Sequence, residues 1–410
     1  MSRLVMKFGG TSVADLSKMR NAASRIQSEV DDGNNVIVTV SAMAGTTDQL
    51  IDKVRAISSL YDAREYDAIV SSGENVSAGL MALQLQSMGI NARSWQGWQI
   101  PMKTTDDHSN SRIEEIDIEN LIKKFNNGMQ VAVVAGFQGI SSNSRITTLG
   151  RGGSDTTAVA LAAAFKADLC DIYTDVDGVF TTDPRITQNA KKLAQISYEE
   201  MLELASLGAK VLQTRSVELA MRYKVKLRVL NSFVEGSGTL VCDEEDIMEK
   251  RIVSGITYSK DEAKLTLIGI KDKPGVAGMV FDCLSKANIN VDMIIQNISD
   301  DGLTDVTFSC PTSQVDVASQ ALEQGKSNEN FSYSRLVVDK YVAKISIVGI
   351  GMRSHSGVAQ TMFKALGQEN INIKVISTSE IKISVLIDRK YLELAVQILH
   401  DAFELEKAQN

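Results

Sequence analysis

The sequence predicts an α/β protein: a mostly parallel sheet covered by helices on both faces, followed by a pair of small α+β modules. Three observations predict it. Short β-branched runs alternate with longer helical patterns over the first two-thirds of the 410 residues, the pattern of βαβ units. The acidic run Asp243-Glu-Glu-Asp246, after Gly236-Ser-Gly238, marks a domain boundary. Beyond it the chain repeats itself. Length agrees, since one core rarely grows past about 250 residues.

Arg3 to Phe8 reads as a strand ending at Gly9-Gly10. Val13, Leu16, Met19, Ala23, Ile26 and Val30 then recur at helical spacing, stopped near Gly33. Val36 to Val40 is a buried strand, Glu74 to Met88 a helix closed by Gly89, and Val131 to Ala135 another strand. Asp155 to Phe165 is a helix and Leu169 to Tyr173 a strand. Ser197 with Glu200 makes a capping box for a helix through Ala205, and Lys226 to Leu230 is the last clear strand. Ligands of such a sheet sit beyond the carboxyl ends of its strands. In the repeat, Lys264-LTLIGI, Lys273-Pro-Gly-Val-Ala-Gly-Met-Val-Phe281 and Asn288-Ile-Asn-Val291 match Lys344-ISIVGI, Ser356-Gly-Val-Ala-Gln-Thr-Met-Phe363 and Asn370-Ile-Asn-Ile373. Gly-to-Phe and Phe-to-Asn spacings are the same in both, and each copy follows the ferredoxin-like βαββαβ pattern.

Hydrophobic residues make up 44% and charged residues 23%, enough core material without disulfides or metals. The balance of 43 basic against 51 acidic residues gives a scattered net charge of −8, which argues against nucleic acid or an anionic membrane as main partner. Four cysteines lie far apart without a CxxC pair and only three histidines exist, so neither a disulfide framework nor a transition-metal cluster is expected. MSRLVMKFGG is too polar for a signal peptide and no apolar run approaches the about 18 residues of a membrane span. A reduced, cytoplasmic protein is expected.

Five segments carry candidate chemistry. Lys7-Phe-Gly-Gly-Thr-Ser12 sets glycines and hydroxyls between a strand and a helix, where backbone can approach a phosphate and Lys7 can neutralise it. The residues alone fit a tight turn with a surface lysine equally well. Thr147-Thr-Leu-Gly-Arg-Gly-Gly-Ser-Asp-Thr-Thr157 flanks Arg151 with three glycines just before a helix. Backbone amides, Ser154 and the helix dipole make an anion pocket there, and Arg151 can hold a carboxylate bidentately. An ordinary N-cap explains Ser154 or Asp155 but not an arginine set among three glycines. Ile172-Tyr-Thr-Asp-Val-Asp-Gly-Val-Phe-Thr-Thr-Asp-Pro-Arg185 could clamp a nucleotide with Arg185 toward phosphates, though on spacing alone it is a polar turn. Val40-Ser-Ala-Met-Ala-Gly-Thr-Thr47 is another strand end opening into small and hydroxyl residues. Ser71-Ser-Gly-Glu74 opens a helix with a carboxylate, usually only a complement to the dipole.

Together KFGGTS, VSAMAGTT, SSGEN, TTLGRGGSDTTA, YTDVDGVFTTDPR and GAKVLQTRS resemble, in order, the aspartokinases of the amino acid kinase family, and the repeat resembles their tandem ACT modules. The resemblance covers nearly the whole chain. It implies an α/β/α kinase domain over 1–245, a first ACT domain over 264–340, and a second built from 250–262 plus 341–410, so that the first is inserted in the second. Gln213-Thr214 departs from the His-Pro often found there, and Ala359 from a threonine of some regulated members. The implied reaction moves the γ-phosphoryl of ATP to the β-carboxylate of L-aspartate, with Mg²⁺ carried through phosphates. A carboxyl with a pKa near ~3.9 is already ionised at neutral pH, so no general base is needed. By resemblance Lys7 and Lys210 flank the transferring group and Asp155 orients them. Ser41, Thr47, Glu74, Arg151, Gly152, Gly153 and Ser154 bind aspartate, with Arg151 on its α-carboxylate and Glu74 on its ammonium. Lys7, Phe8, Gly9, Gly10, Tyr173, Thr174, Asp175, Asp183, Pro184, Arg185 and Lys210 line the nucleotide.

For one module, Asp272-Lys-Pro-Gly275 is by default a structural turn; two modules fused to a kinase favour regulation. The resemblance implies lysine and/or threonine as effectors. Asp272, Gln296, Asn372 and Ile373 match a threonine-type site, Asp292, Ser379 and Glu380 a lysine-type site, and Gly275 and Ala277 complete the effector set. It further implies a homo-oligomer through the ACT domains, and Met248 could start a separate regulatory subunit. A glutamate or acetylglutamate kinase and a non-catalytic amino-acid sensor are the competing readings. Arg151 and Glu74 argue for a free α-amino acid, the ACT pair for aspartokinase, and the intact set Lys7, Asp155 and Lys210 against a sensor.

Overall fold

In the computed structural model, residues 2–206, 211–247, 251–298, 302–327 and 331–407 are described. They form two compact units, one taking in Met1–Val179, Lys192–Ser206 and Lys210–Glu249, the other Phe180–Lys191 and Lys250–Asn410. The segment Phe180–Lys191, which the sequence reading placed in the first domain, folds with the second unit. It is tied there by Thr181 Oγ1 to His400 Nε2 at 3.0 Å and by the Ile256 N–H to the Thr181 carbonyl at 2.7 Å.

The strands of the first unit are β1 (Arg3–Phe8), β2 (Asn35–Val40), β3 (Ala92–Trp95), β4 (Met102–Thr104), β5 (Ile113–Ile116), β6 (Val131–Ala135), β7 (Gln138–Ile140), β8 (Ile146–Thr148), β9 (Leu169–Thr174), β10 (Gln195–Ser197), β11 (Leu227–Asn231) and β12 (Thr239–Cys242). Eight make one sheet in the order β10-β12-β11-β9-β1-β2-β6-β3. All its pairs are parallel except β11 with β12. Strands buried on both faces read as continuous apolar runs, and in β1 every residue from Leu4 to Phe8 is buried. The other four strands, β5-β4-β7-β8, form a small second sheet.

The helices of this unit are α1 (Leu16–Asp31), α2 (Thr46–Ile57), α3 (Ala63–Val70), α4 (Ser72–Ser87), α5 (Glu119–Asn126), α6 (Gly153–Phe165), α7 (Tyr198–Ser206) and α8 (Thr214–Tyr223). α1 and α4 bury Met19, Ala23, Ile26, Met81 and Leu85 against β1, β2 and β6. α6 is apolar nearly all round and buried along most of its length, as a helix in the middle of a core must be. The capping box of α7 forms: the Ser197 hydroxyl accepts the Glu200 N–H at 3.2 Å while the Glu200 carboxylate accepts the Ser197 N–H at 3.1 Å. β12 extends the sheet beyond β11, which sequence alone made the last strand. It pairs antiparallel with β11 and is only four residues long, too short a run to signal itself.

The order of strands fixes where a ligand can go. β1 is followed in the chain by β2 on one side, and its other neighbour β9 by strands on the far side, so the connections from these two adjacent strands run in opposite directions. Such a reversal opens a crevice at the carboxyl end of the central strand, which here is Phe8-Gly9-Gly10.

In the second unit β13 (Gly255–Lys271), β14 (Ile294–Ile298), β15 (Leu303–Cys310), β16 (Arg335–Val348), β17 (Ile373–Thr378) and β18 (Lys382–Asp388) form one antiparallel sheet in the order β14-β15-β13-β16-β18-β17. α9 (Val276–Lys286), α10 (Val315–Ser327), α11 (Val358–Gln368) and α12 (Leu392–Ala402) complete it. β13 and β16 pair along most of their length with register shifts between Ser259 and Lys264. One core gathers Ala263 to Tyr333; the other joins Val253 and Ile256 to Ala343 through Leu405. Each long strand therefore serves two cores in turn.

Inside the large sheet Asp171, wholly buried, is held by two guanidinium bonds from Arg228 at 2.8 and 2.7 Å. Burial keeps the Asp171 pKa above the usual carboxylate value despite Arg228. Removing one partner of a buried pair strands the other charge, at about 3–5 kcal/mol. Arg228→Met is expected to lower the urea midpoint of the first unit accordingly. The loss should be smaller at about pH 5 than at about pH 8, because a raised-pKa carboxyl stabilises the fold when protonated and loses that contribution as pH rises. Urea titrations at the two pH values check both size and sign.

Candidate active site

The crevice at the end of β1 is a cleft of about 340 Å³. Lys7 reaches it from the fifth position of β1, with 9% of the residue exposed. A buried ammonium needs a partner, and Asp155 in the first turn of α6 supplies it, Oδ1 lying 2.5 Å from Nζ. Next in the chain, Gly10 passes so close to the second strand's loop that a Cβ would stand 2.8 Å from the Ala42 carbonyl oxygen. Ser12 in turn shares a hydrogen bond of 2.5 Å with Ser232. The Ser232 N–H reaches the Thr174 carbonyl at 2.8 Å, so β11 braces the first glycine loop.

Beyond β2, the Ser41 N–H donates to the Phe8 carbonyl at 3.1 Å. The following amide, Ala42 N–H, donates to Glu74 Oε1 at 3.1 Å. Glu74 is 4% exposed, and its other oxygen, Oε2, is buried without a hydrogen-bond partner among the described residues. Desolvation pushes the Glu74 pKa up to about 7. An acid held this way, with one oxygen buried and without a hydrogen-bond partner among the described residues, is prepared for a cationic group.

The third wall is the turn between β8 and α6. Gly150 and Gly152 have φ of +75° and +72°, and a Cβ on Gly152 would stand 2.0 Å from Gln213 Cγ, so only glycine fits there. Arg151, exposed, and Gly153, Ser154 and Asp155, buried, follow at the positive end of α6. Phe137 closes the cleft with φ +71°, a conformation rare for an aromatic residue. Its N–H is held by Thr157 Oγ1 at 3.1 Å and its carbonyl by the Leu149 N–H at 2.9 Å.

Lys7, Gly10, Ser41, Thr47, Glu74, Arg151, Gly152, Gly153, Ser154 and Asp155 thus line a single cleft. Phe8 and Tyr173 do not; they stack on each other, centroids 4.7 Å apart, and are buried. Gly9 is pinned beside them, its N–H on the Tyr173 carbonyl at 3.3 Å. Thr174 Oγ1 donates to Asp175 at 3.2 Å at the end of β9. Asp183 and Arg185 lie with Pro184 in the second unit. There Arg185 pairs with Asp183 at 2.8 Å, and so does the Tyr258 hydroxyl. These partners hold the Asp183 pKa well below the usual range, Arg185 foremost. Lys210 lies outside the described residues, as does Met248. Sequence reasoning missed Ala42, whose small side chain hides a functional amide, and Phe137, whose φ only the fold reveals.

In the second unit Asp272 is exposed at the end of β13, its N–H on the Gly302 carbonyl at 2.9 Å. Gly275, with φ +91°, caps α9, and Ala277 is half-buried in its first turn. Gln296 and Asn372 are exposed and Ile373 half-buried. The Ser379 N–H donates to Lys382 O at 2.8 Å, and Glu380 pairs with Arg353 at 3.4 Å. Asp292 is ion-paired with Lys344, which also holds Glu262 at 2.9 Å.

Among the described residues no group of three His, Cys, Asp or Glu side chains could cage a metal ion. No described helix is long and apolar enough to cross a membrane.

Known proteins resemble this chain along nearly its whole length. The model of the amino acid kinase family matches residues 2–231, and that of the ACT domain matches 265–325 and 345–403. The chain is 52% identical over 407 residues to the aspartate kinase Ask_LysC of Stutzerimonas stutzeri, covering 99% of this chain and 98% of that one. Among solved structures, E. coli aspartokinase III in complex with aspartate and ADP superposes with a TM-score of 0.78 at 28% identity, covering 97% of this chain and 99% of that one. The same enzyme with lysine and aspartate gives 0.78 at 27%, covering 98% and 99%.

The Glu74 shift has a measurable cost. Its folded pKa of about 7 stands above the ordinary 4.5, so its contribution to stability is complete at low pH and lost as pH rises between those values. Glu74→Gln cannot ionise and escapes that loss. The variant is expected to gain on the parent as pH is raised through this window, by up to about 3 kcal/mol without ligand. Thermal melts across the pH range check it, and a gap that narrows with rising pH contradicts it.

Proposed function

The chain belongs to the amino acid kinase family, and within it to the aspartate kinases; on that footing we propose that it transfers the γ-phosphoryl of ATP to the β-carboxylate of L-aspartate, giving 4-phospho-L-aspartate. One observation carries the assignment of the site: opposite charges, Glu74 and Arg151, line the same cleft as the Lys7–Asp155 pair. Glu74 meets the substrate ammonium with its unpartnered oxygen. Arg151, with the amides and hydroxyl of Gly152, Gly153 and Ser154, takes the α-carboxylate, and Ser41 and Thr47 close around the side chain. The β-carboxylate is already ionised and attacks as it stands.

Catalysis is positioning plus neutralisation of charge on the phosphoryl oxygens. Lys7 supplies a cation at the carboxyl end of β1, and Asp155 keeps it aimed; Lys210 is the second cation. The Gly9-Gly10 backbone carries the phosphates, and Phe8, Tyr173, Thr174 and Asp175 serve the nucleotide. Mg²⁺ enters as MgATP: hard oxygen ligands suit it, and without a protein cage among the described residues phosphate and water provide them. ATP and aspartate with hydroxylamine trapping test the reaction, aspartyl hydroxamate forming only when both substrates are present. Lys7→Ala is expected to lower kcat by about 100-fold or more, as when one donor to a developing charge is lost, with ATP affinity changed less. Near-normal kcat in the folded variant would remove Lys7 from this role.

The second unit is regulatory in this reading. The ACT matches support it, with boundaries of 264–340 for one module and 250–262 plus 341–410 for the other. Lysine and/or threonine are the effectors, the modules join copies of the chain in the cytoplasm, and a separate subunit starting near Met248 belongs to the same proposal. Asp272 offers an exposed carboxylate before the α9 N-terminus, opposite charges for the two ends of a free amino acid. Asp272→Ala is expected to leave uninhibited activity unchanged and to raise the concentration of threonine, alone or with lysine, needed for half-inhibition. Dose–response curves on both proteins measure it; identical curves exclude Asp272.

A further inference from the structure

Two groups outside the cleft hold the chain where it enters one turn, at consecutive residues Thr148 and Leu149. The turn is Leu149–Gly153, between β8 and α6, and it carries Arg151. The first is Asp67, a residue of α3 at 0% exposure. Its carboxylate accepts the Ser109 N–H at 3.0 Å, the Thr148 N–H at 3.1 Å and the Thr148 hydroxyl at 2.6 Å, and pairs with His108 Nδ1 at 2.7 Å. A buried carboxylate so fully bonded is a rigid anchor, and it fixes the last residue of β8. The second is Arg215, in the first turn of α8. Its guanidinium donates to the Leu149 carbonyl at 2.7 Å and to the Ser111 carbonyl at 2.6 Å. The Ser111 N–H in turn donates to the Thr148 carbonyl at 2.9 Å. A planar fork bridges two chain segments in this way better than any other side chain.

Neither Asp67 nor Arg215 lines the cleft. The glycines of the turn leave it no slack: a Cβ on Gly150 would stand 2.8 Å from Asn110 Oδ1, just as Gly152 lies against Gln213. We propose that Asp67 and Arg215 are positioning residues that fix the Arg151 turn, and that their effect on the reaction falls on recognition of the substrate's α-carboxylate. This rests on the reading of Arg151 given above. Glycine-rich backbone is costly to order. Anchors on Thr148 and Leu149 meet that cost during folding, so aspartate does not meet it on binding. A purely structural pair would instead affect both substrates and stability together.

The test compares Arg215→Met, Arg151→Met and the double variant in steady-state kinetics and thermal melts. Arg215→Met is expected to raise the aspartate KM about tenfold or more, within the roughly 100-fold that misplacement of a binding group costs, and to leave the ATP KM within about twofold. In the Arg151→Met background the same substitution should change the aspartate KM by less than about twofold, because residues acting through one group are not additive. If Arg215→Met does not fold, Arg215→Lys and Asp67→Asn replace it, with a smaller rise still confined to aspartate. The proposal is overturned by an unchanged aspartate KM, by both KM values rising together, or by additive effects. If Arg151→Met itself leaves the aspartate KM unchanged, the reading of Arg151 falls and this proposal with it. If only Arg215→Met is silent, the reading of Arg151 stands and this proposal alone falls.

Discussion

The buried ion pair of Lys7 and Asp155 is the constraint around which the first unit is arranged. A lysine in a central strand whose neighbours are all buried opposes folding unless its charge is met. The two side chains are 11% and 12% exposed and 2.5 Å apart, so each answers the desolvation of the other. The pair also joins β1 to α6, the two elements that bring the glycine loops together. Strand order then does the rest: β2 lies beside β1, and the loops that leave these two strands line the cleft with Lys7. The site is not added to the fold; it lies where a parallel sheet reverses direction and a helix must begin. Such charge would be poorly placed in an idle protein, and an incoming phosphoryl group gives it a use, since Lys7 can neutralise that group without being carried in from water.

The cleft pairs this fixed cation with a deliberately uncomfortable anion. Glu74 spends one oxygen on the Ala42 amide and keeps the other buried and unpaired. A protein selected for stability alone would place glutamine there. A carboxylate with its pKa raised to about 7 by desolvation gains most from a ligand that brings a compensating positive charge, because binding then relieves the cost of burial. Strain at Phe137, with φ +71°, belongs to the same side of the balance. Its N–H donates to Thr157 Oγ1 and its carbonyl accepts the Leu149 N–H, which together hold it there.

Much of this was legible in the sequence, for reasons that differ by segment. β1, β2, β6 and β9 announce themselves because burial on both faces demands unbroken apolar runs. The glycine loops are legible because close approach leaves no alternative residue, and the capping box because Ser197 and Glu200 act locally. β4, β5, β7 and β8 were not legible: three or four residues each, they are strands only through their partners. Ala42, Phe137, Asp67 and Arg215 escaped for a related reason. Each acts through a backbone atom or a distant contact, and a single sequence records neither. Phe180–Lys191 is the clearest case. Its neighbours in the chain belong to one unit, while its hydrogen bonds to Tyr258, Ile256, His400 and Gln397 belong to the other.

The second unit shows how a repeat becomes one body. Two modules that each closed their own sheet would be joined only by linkers. Here β13 and β16 run through both, so a change of twist in one half is felt in the other. At the centre of this shared sheet Lys344 is buried between Glu262 and Asp292. Burial opposes its charge, yet the two carboxylates hold its pKa above the ordinary lysine value. Asp292 is the more exposed of the two. If the exposed pair with Asp292 opened, Lys344 would keep Glu262 and no buried charge would be stranded. Removing Glu262 instead would make Lys344 depend on the exposed Asp292 alone. The three-membered arrangement therefore does what a simple pair could not: it keeps the sheet's internal cation satisfied from the buried side even where its second partner meets water.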